Sequence, residues 1–277
     1  MRLFRRRGRG EAGQVVGTPL GRAMALYRAG RYAEAEAEAR SAAAARYRPR
    51  DDTYAPLALG IAALAAGAQG RHADALSTYD ALLPVFGRVF GDGHPQTLKL
   101  RSDRAQVLNS AARYAECLAE CAAVARIAAH AAGPDMPFIT AAARNGQIFA
   151  LNALGRHPEA EALAREALAT HCEPDRFALV LRLGLARGLN GQGRHEEALA
   201  EAERAGELCR RLPLEQRRPE AGAVELVMAT TVLGLGRDAE ARPLAAAAQE
   251  ACLAAFGPQH RRTLEATALL DRIDGRP

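Results

Sequence analysis

The chain has 277 residues, 49% hydrophobic but only 5% aromatic and without tryptophan, and so alanine-rich a composition favours closely packed helices over a β-sheet. Its formal charge of +5 resides in Arg2, Arg5, Arg6, Arg7 and Arg9, since residues 11–277 balance, and this excludes a broadly basic nucleic-acid-binding surface. Five cysteines in so long a chain exclude a disulfide framework, and no apolar run is long enough to span a bilayer.

Residues 1–16 are expected to be a flexible basic arm. Its start, Met1-Arg2-Leu3-Phe4-Arg5-Arg6-Arg7, has no apolar core after the charges and so is not a secretory signal. A cytoplasmic protein with reduced thiols is expected. Residues 17–273 then repeat one phrase six times: a small residue, Arg, two spacers, an acidic residue and another small one. It runs from Gly30-Arg31 to Ala35, Gly70-Arg71 to Ala75, Ala112-Arg113 to Cys117, Gly155-Arg156 to Ala160, Gly193-Arg194 to Ala198 and Gly236-Arg237 to Ala241. The spacings of 40, 42, 43, 38 and 43 residues imply stacked two-helix units.

Each phrase reads as the turn between two helices. Apolar periodicity places first helices near 18–29, 52–69, 94–111, 136–154, 174–192 and 217–235. Second helices fall near 31–47, 71–90, 113–131, 156–171, 194–211 and 237–256, the last expected to kink at Pro243. A closing helix from His260 to about Ile273 covers the last exposed face, and 274–277 form a tail. Four residues after each turn Arg stand Ala35, Ala75, Cys117, Ala160, Ala198 and Ala241; eight before it stand Ala23, Ala63, Ala105, Ile148, Ala186 and Ala229. Short side chains at these two slots let paired backbones approach. Cys117, Cys209 and Cys252 occupy repeat-matched slots and read as packing residues.

The phrase and its small-residue spacing resemble the tetratricopeptide repeat (TPR). The linkers Gly91-Asp92-Gly93-His94-Pro95-Gln96-Thr97-Leu98 and Gly257-Pro258-Gln259-His260-Arg261-Arg262-Thr263-Leu264 resemble the Gly-x-x-His-Pro-x-Thr-Leu linker of the longer, roughly 42-residue variant found in kinesin light chains and bacterial multi-repeat proteins. The resemblance implies an all-α, right-handed α-solenoid of about six helix hairpins and a capping helix. It also implies binding of other molecules rather than catalysis. The paired asparagines that help kinesin light chains hold cargo would fall at Ser102-Asp103, Asn145-Gly146, Leu183-Gly184 and Leu226-Val227. Only Asn145 matches, so a motor-cargo role does not carry over.

First helices line the concave side of such an array. Four residues before the turn Arg the repeats read Tyr27, Gly67, Asn109, Asn152, Asn190 and Leu233. The three asparagines form a ladder able to grip a peptide backbone; the plainer reading is that each only caps or solvates a helix end. With Lys99, Ser102, Gln106, Asn145, Phe149 and Arg187 they make the expected groove. The expected role is a non-enzymatic scaffold holding a peptide or helical segment. The alternative is an adaptor whose Arg-rich arm meets nucleic acid or an anionic membrane surface. No phosphate-cradling loop, Cys-x-x-Cys pair or His-Glu-x-x-His motif occurs, so neither cofactor nor metal is expected. His72, His157 and His195 share a slot with Tyr32 and Tyr114, which points to packing with a polar tip.

Overall fold

The computed structural model describes residues 18–45, 53–258 and 260–275. Among these, fourteen α-helices and one 3₁₀ turn occur and no strand. The chain divides into two compact units, residues 1–107 and 108–277. In the first, α1 (Pro19–Arg28), α2 (Tyr32–Ala45), α3 (Tyr54–Ala68) and α4 (His72–Val89) pack each on the next, and α5 (Pro95–Ser110) begins.

In the second, α6 (Tyr114–His130), α7 (Met136–Ala153), α8 (His157–Thr170), α9 (Arg176–Gly191) and α10 (His195–Arg211) pack in chain order. After a short α11 (Leu214–Arg217) come α12 (Ala223–Gly234), α13 (Asp238–Phe256) and α14 (Arg261–Ile273), again each against the next. The first helices of successive repeats also touch, α7 with α9, α9 with α12 and α12 with α14, so they share one face. This is the local architecture of an α-solenoid.

The turn phrase has one geometry six times over. The small residue takes positive φ, from 72° to 80° at the five glycines and 58° at Ala112. Its N–H donates to the carbonyl three residues back, and the Arg N–H to the carbonyl five back, as in Gly155 to Asn152 and Arg156 to Leu151. This Schellman pairing satisfies carbonyls that a helix end leaves open. The Arg then precedes the next helix and pairs with the acid three residues on, as Arg113 does with Glu116 at 2.6 Å and Arg156 with Glu159 at 2.6 Å. The acid also lies in the first turn, where the helix dipole favours it.

All twelve residues of the two small-residue slots are at most 1% exposed. Ile148, the one large occupant, fits because the next repeat places Gly184 beside it, where an added Cβ would lie 2.6 Å from its Cγ2. The two Gly-x-x-His linkers are equally specific. His94 and His260 each stack on the phenylalanine four residues back, at 5.0 and 4.4 Å between centroids. Each accepts an N–H two residues on through Nδ1. Buried Thr97 and Thr263 donate to the carbonyls of Gly91 and Gly257 at 2.8 and 2.9 Å. Burial, reinforced by Arg262 and Arg261, pushes the His260 imidazole down to about 4, which keeps Nδ1 free to accept.

One expectation is corrected. The helix expected over 217–235 starts only at Ala223, after α11 and a 3₁₀ turn over Arg218–Glu220. Gly222 has φ 69°, and a Cβ there would meet the Ala248 carbonyl oxygen at 2.6 Å, so the chain crosses α13 too closely to be helical. Meanwhile α13 runs continuously through Pro243. The bond that Pro243 forgoes is to Ala239, near the helix start, where few others depend on it.

Candidate functional site on the first-helix face

The asparagine slot is built into the contacts between repeats. Asn152 Nδ2 donates to the Gly184 carbonyl at 2.9 Å, across to the next first helix. A carbonyl only accepts, so Asn152 Oδ1 faces His157 Nδ1 at 3.2 Å and the imidazole donates. Asn190 repeats the pattern one unit on: its Nδ2 donates to Thr231 Oγ1 at 2.7 Å, which donates to the Val227 carbonyl at 2.7 Å. Its Oδ1 accepts from His195 Nδ1 at 3.1 Å. The histidines rest on glycines of the following repeat: a Cβ at Gly191 would lie 2.3 Å from the His157 ring, and one at Gly234 2.5 Å from the His195 ring. Two of the three ladder amides therefore join repeats. Asn109 differs: with Tyr114 in the histidine slot, its Oδ1 is buried and accepts no hydrogen bond.

The other expected groove residues fall in several places. Lys99 pairs with Asp103 at 2.7 Å, Ser102 donates to the Leu98 carbonyl at 2.9 Å, and Gln106 is exposed; all three belong to the first unit. In the second unit, Asn145 is half-buried one turn before Phe149, whose ring lies under the Arg261 guanidinium at 4.4 Å from its centroid. Arg187 and Asn190 come together in a cavity of about 600 Å³ on the first-helix face. Leu226, Val227 and Leu233 of α12 and Ile273 of α14 supply its apolar walls; Thr230, Glu265 and Arg272 supply further polar groups. Burial pushes the Arg187 guanidinium below its ordinary value; Glu265 opposes this while Arg262 and Arg261 reinforce it. The residues from α12 and α14 were not legible as site residues, because Leu233 replaces asparagine in the sixth repeat and α14 reads only as a cap.

The closing helix is latched at its start. Arg262 donates to Glu220 Oε2 at 3.1 Å and to the Ala221 carbonyl at 3.2 Å, and Glu220, 5% exposed, also pairs with Arg176 of α9 at 2.6 Å. Among the described residues no group of three or more His, Cys, Asp or Glu side chains could hold a metal, and no helix is long and apolar enough to cross a membrane. The basic arm with Arg2, Arg5, Arg6, Arg7 and Arg9 lies outside the described residues.

A family model described as tetratricopeptide repeat matches residues 149–173, which span the fourth turn phrase. No curated protein matches the sequence. Among solved structures, the chain is similar to the nearly identical TPR-like repeats of a Podosopora anserina protein assigned as a kinesin light chain. That match is 18% identical over 70% of this chain and 94% of that one, with a TM-score of 0.58. It is similar to Bacillus thuringiensis PlcR, solved with the peptide PapR7 and DNA, at 16% identity over 81% and 76% of the two chains and a TM-score of 0.58. It is also similar to a Rap protein complexed with competence and sporulation factor, at 14% identity over 93% and 74%, with a TM-score of 0.62. At these identities the likeness is one of fold. Six copies of one helix-pair turn, a tetratricopeptide-repeat match across the fourth and this shared architecture identify the fold as an α-solenoid of tetratricopeptide-like repeats.

Proposed function

We propose that the chain is a non-enzymatic adaptor that holds a peptide segment on the first-helix face of its second unit, between Phe149 and the closing helix. The observation that carries this reading is the cavity of about 600 Å³. It combines apolar walls with convergent polar groups, the usual make-up of a ligand site. Asn152 and Asn190 act here as the rigid wall of the site, holding α9 and α12 in register, while Arg187, Thr230 and the apolar residues meet the ligand. That PlcR and a Rap protein, similar in fold, were solved with a peptide and a competence and sporulation factor respectively supports the reading.

Thr230 is half-buried on α12 and lines the cavity, so Thr230→Trp fills it without touching the turn phrase. Panning a displayed random-peptide library against the full chain should yield binders whose affinity falls about tenfold or more in this variant, roughly the loss of one well-placed contact set. Binders indifferent to Thr230→Trp, with an unchanged circular dichroism spectrum, would move the ligand elsewhere.

A further inference from the structure

A second cavity, of about 780 Å³, is walled by second helices instead of first ones. One wall is α10 from Glu203 to Arg210 and the other α13 from Leu244 to Ala251, each over about two turns. Val224 and Met228 of α12 form the floor, and the short extra helix α11 closes one end with Leu214 and Arg217. Glu203, Glu207 and Arg210 are exposed and Leu214 is 68% exposed, so the cavity is a trough open along α10.

The charges of this trough are sorted by sign and left unpaired. Glu203 and Glu207 stand one turn apart on α10, and Arg210 and Arg217 lie toward the end that α11 closes. None of these four side chains makes a hydrogen bond or ion pair among the described residues, whereas Arg204, between the two acids in sequence, pairs with Glu201. Glu225 on the floor is a third unpaired acid. Like charges one turn apart repel and weaken a helix, a cost that an arriving opposite charge removes.

We propose that this trough receives an amphipathic α-helix of a protein partner, basic at the end that meets Glu203 and Glu207 and acidic at the end that meets Arg210 and Arg217. As second helices of successive repeats, α10 and α13 run alike. A third helix laid along them presents apolar side chains at i, i+4 and i+7 to Val224, Met228 and Leu244. Gly206 and Ala251 face the trough from opposite walls, and such short side chains let a backbone approach. A fatty acid or other single-headed amphiphile satisfies one charged end and leaves the other. The proposal does not depend on the first-helix groove, since the two cavities share no lining residue.

The test titrates the full chain into three fluorescein-labelled, end-capped peptides of four helical turns on an alanine background, each with Leu at i, i+4 and i+7. Their charged positions are Lys then Glu in the first, all Lys in the second and all Glu in the third. Anisotropy should show the mixed peptide binding about tenfold tighter than either single-sign peptide, the sum of a few exposed ion pairs. Glu203→Lys with Glu207→Lys, both at exposed positions, should move the preference to the all-Glu peptide. Ala251→Trp should weaken binding about tenfold or more, while Thr230→Trp leaves it unchanged. Bound mixed peptide should also slow N-ethylmaleimide labelling of Cys209, which lines the trough, while exposed Cys172 outside it reacts as before. If Ala251→Trp loses its helical circular dichroism, the charge exchange and the Cys209 readout still decide. Equal affinity for the three peptides, or no binding by any, overturns the proposal. So does a Cys209 that stays reactive with peptide bound, which places the helix elsewhere. Protection of Cys209 by decanoate but by no peptide gives the trough to a small amphiphile and overturns it too.

Discussion

Asn152 uses both ends of its amide within the array, one toward Gly184 of the next repeat and the other toward His157. Replacing it strands a carbonyl acceptor and an imidazole donor at once. Asn152→Ala should therefore lower stability by about 1–3 kcal/mol, the range for buried groups left unpaired. Asn109 is the internal control, since its Oδ1 is buried without a partner. Asn109→Leu should be neutral or stabilising. Urea unfolding of the two variants checks the contrast, and equal losses would show that the slot acts by shape alone. The slot itself was legible as three asparagines in register. What they touch was not, because their partners lie 32 and 41 residues away, on the next first helix.

At the scale of helices, two junctions between repeats share a polar design. Glu36 of α2 accepts from Gln69, Arg71 and Arg40; Glu161 of α8 accepts from Gln192 at 2.8 Å, Arg194 at 2.6 Å and Arg165 at 2.9 Å. The acid stands five residues after its turn Arg, and the glutamine two before the next. In the third and fifth repeats the acid slot holds Leu118 and Leu199, and the following glutamine slot Leu154 and Leu235. The two slots thus change together, polar with polar and apolar with apolar. A mismatched pair leaves a largely buried acid or amide without partners. Glu161→Leu alone should cost about 2 kcal/mol, and adding Gln192→Leu should restore at least about half of it, a coupling within the usual range for touching residues. A double-mutant cycle by chemical denaturation measures it, and strict additivity would refute the pairing. The turn phrase and both small-residue slots were readable because each is a local backbone requirement repeated six times. The start of α12 was misread because Gly222 answers to the backbone of α13, which sequence periodicity does not reveal.

Across the whole molecule, acid should weaken the fold through two groups in separate pH windows. His260 caps α14 as a neutral imidazole with its pKa down at about 4, whereas the unfolded side chain titrates near 6.5. The unfolded state takes up the proton first, so stability falls as pH drops from about 6.5 to 4. Burial opposes ionisation of Glu161, but hydrogen bonds from Gln192, Arg165 and Arg194 outweigh it and hold the carboxyl below its ordinary range. Its contribution is complete above the ordinary value of 4.5 and is lost as pH falls through the lowered one. Melting temperature against pH should flatten in the upper window for His260→Asn and in the lower one for Glu161→Gln. Parallel curves for wild type and His260→Asn would remove the cap from this account.

The sequence by itself determined the helical repeat, its six turns, the buried slots and the closing helix. Those features depend on residues within one hairpin: a left-handed turn position, an Arg and acid one turn apart, and short side chains where two backbones meet. The tertiary structure alone decided which polar residues face the cavity and which are consumed between repeats. That choice depends on contacts between residues about 30 to 45 positions apart. Asn152 and Asn190 look equivalent to Arg187 as polar groups on first helices, yet both find partners on the following repeat. Arg187 makes no hydrogen bond or ion pair among the described residues and lines the cavity.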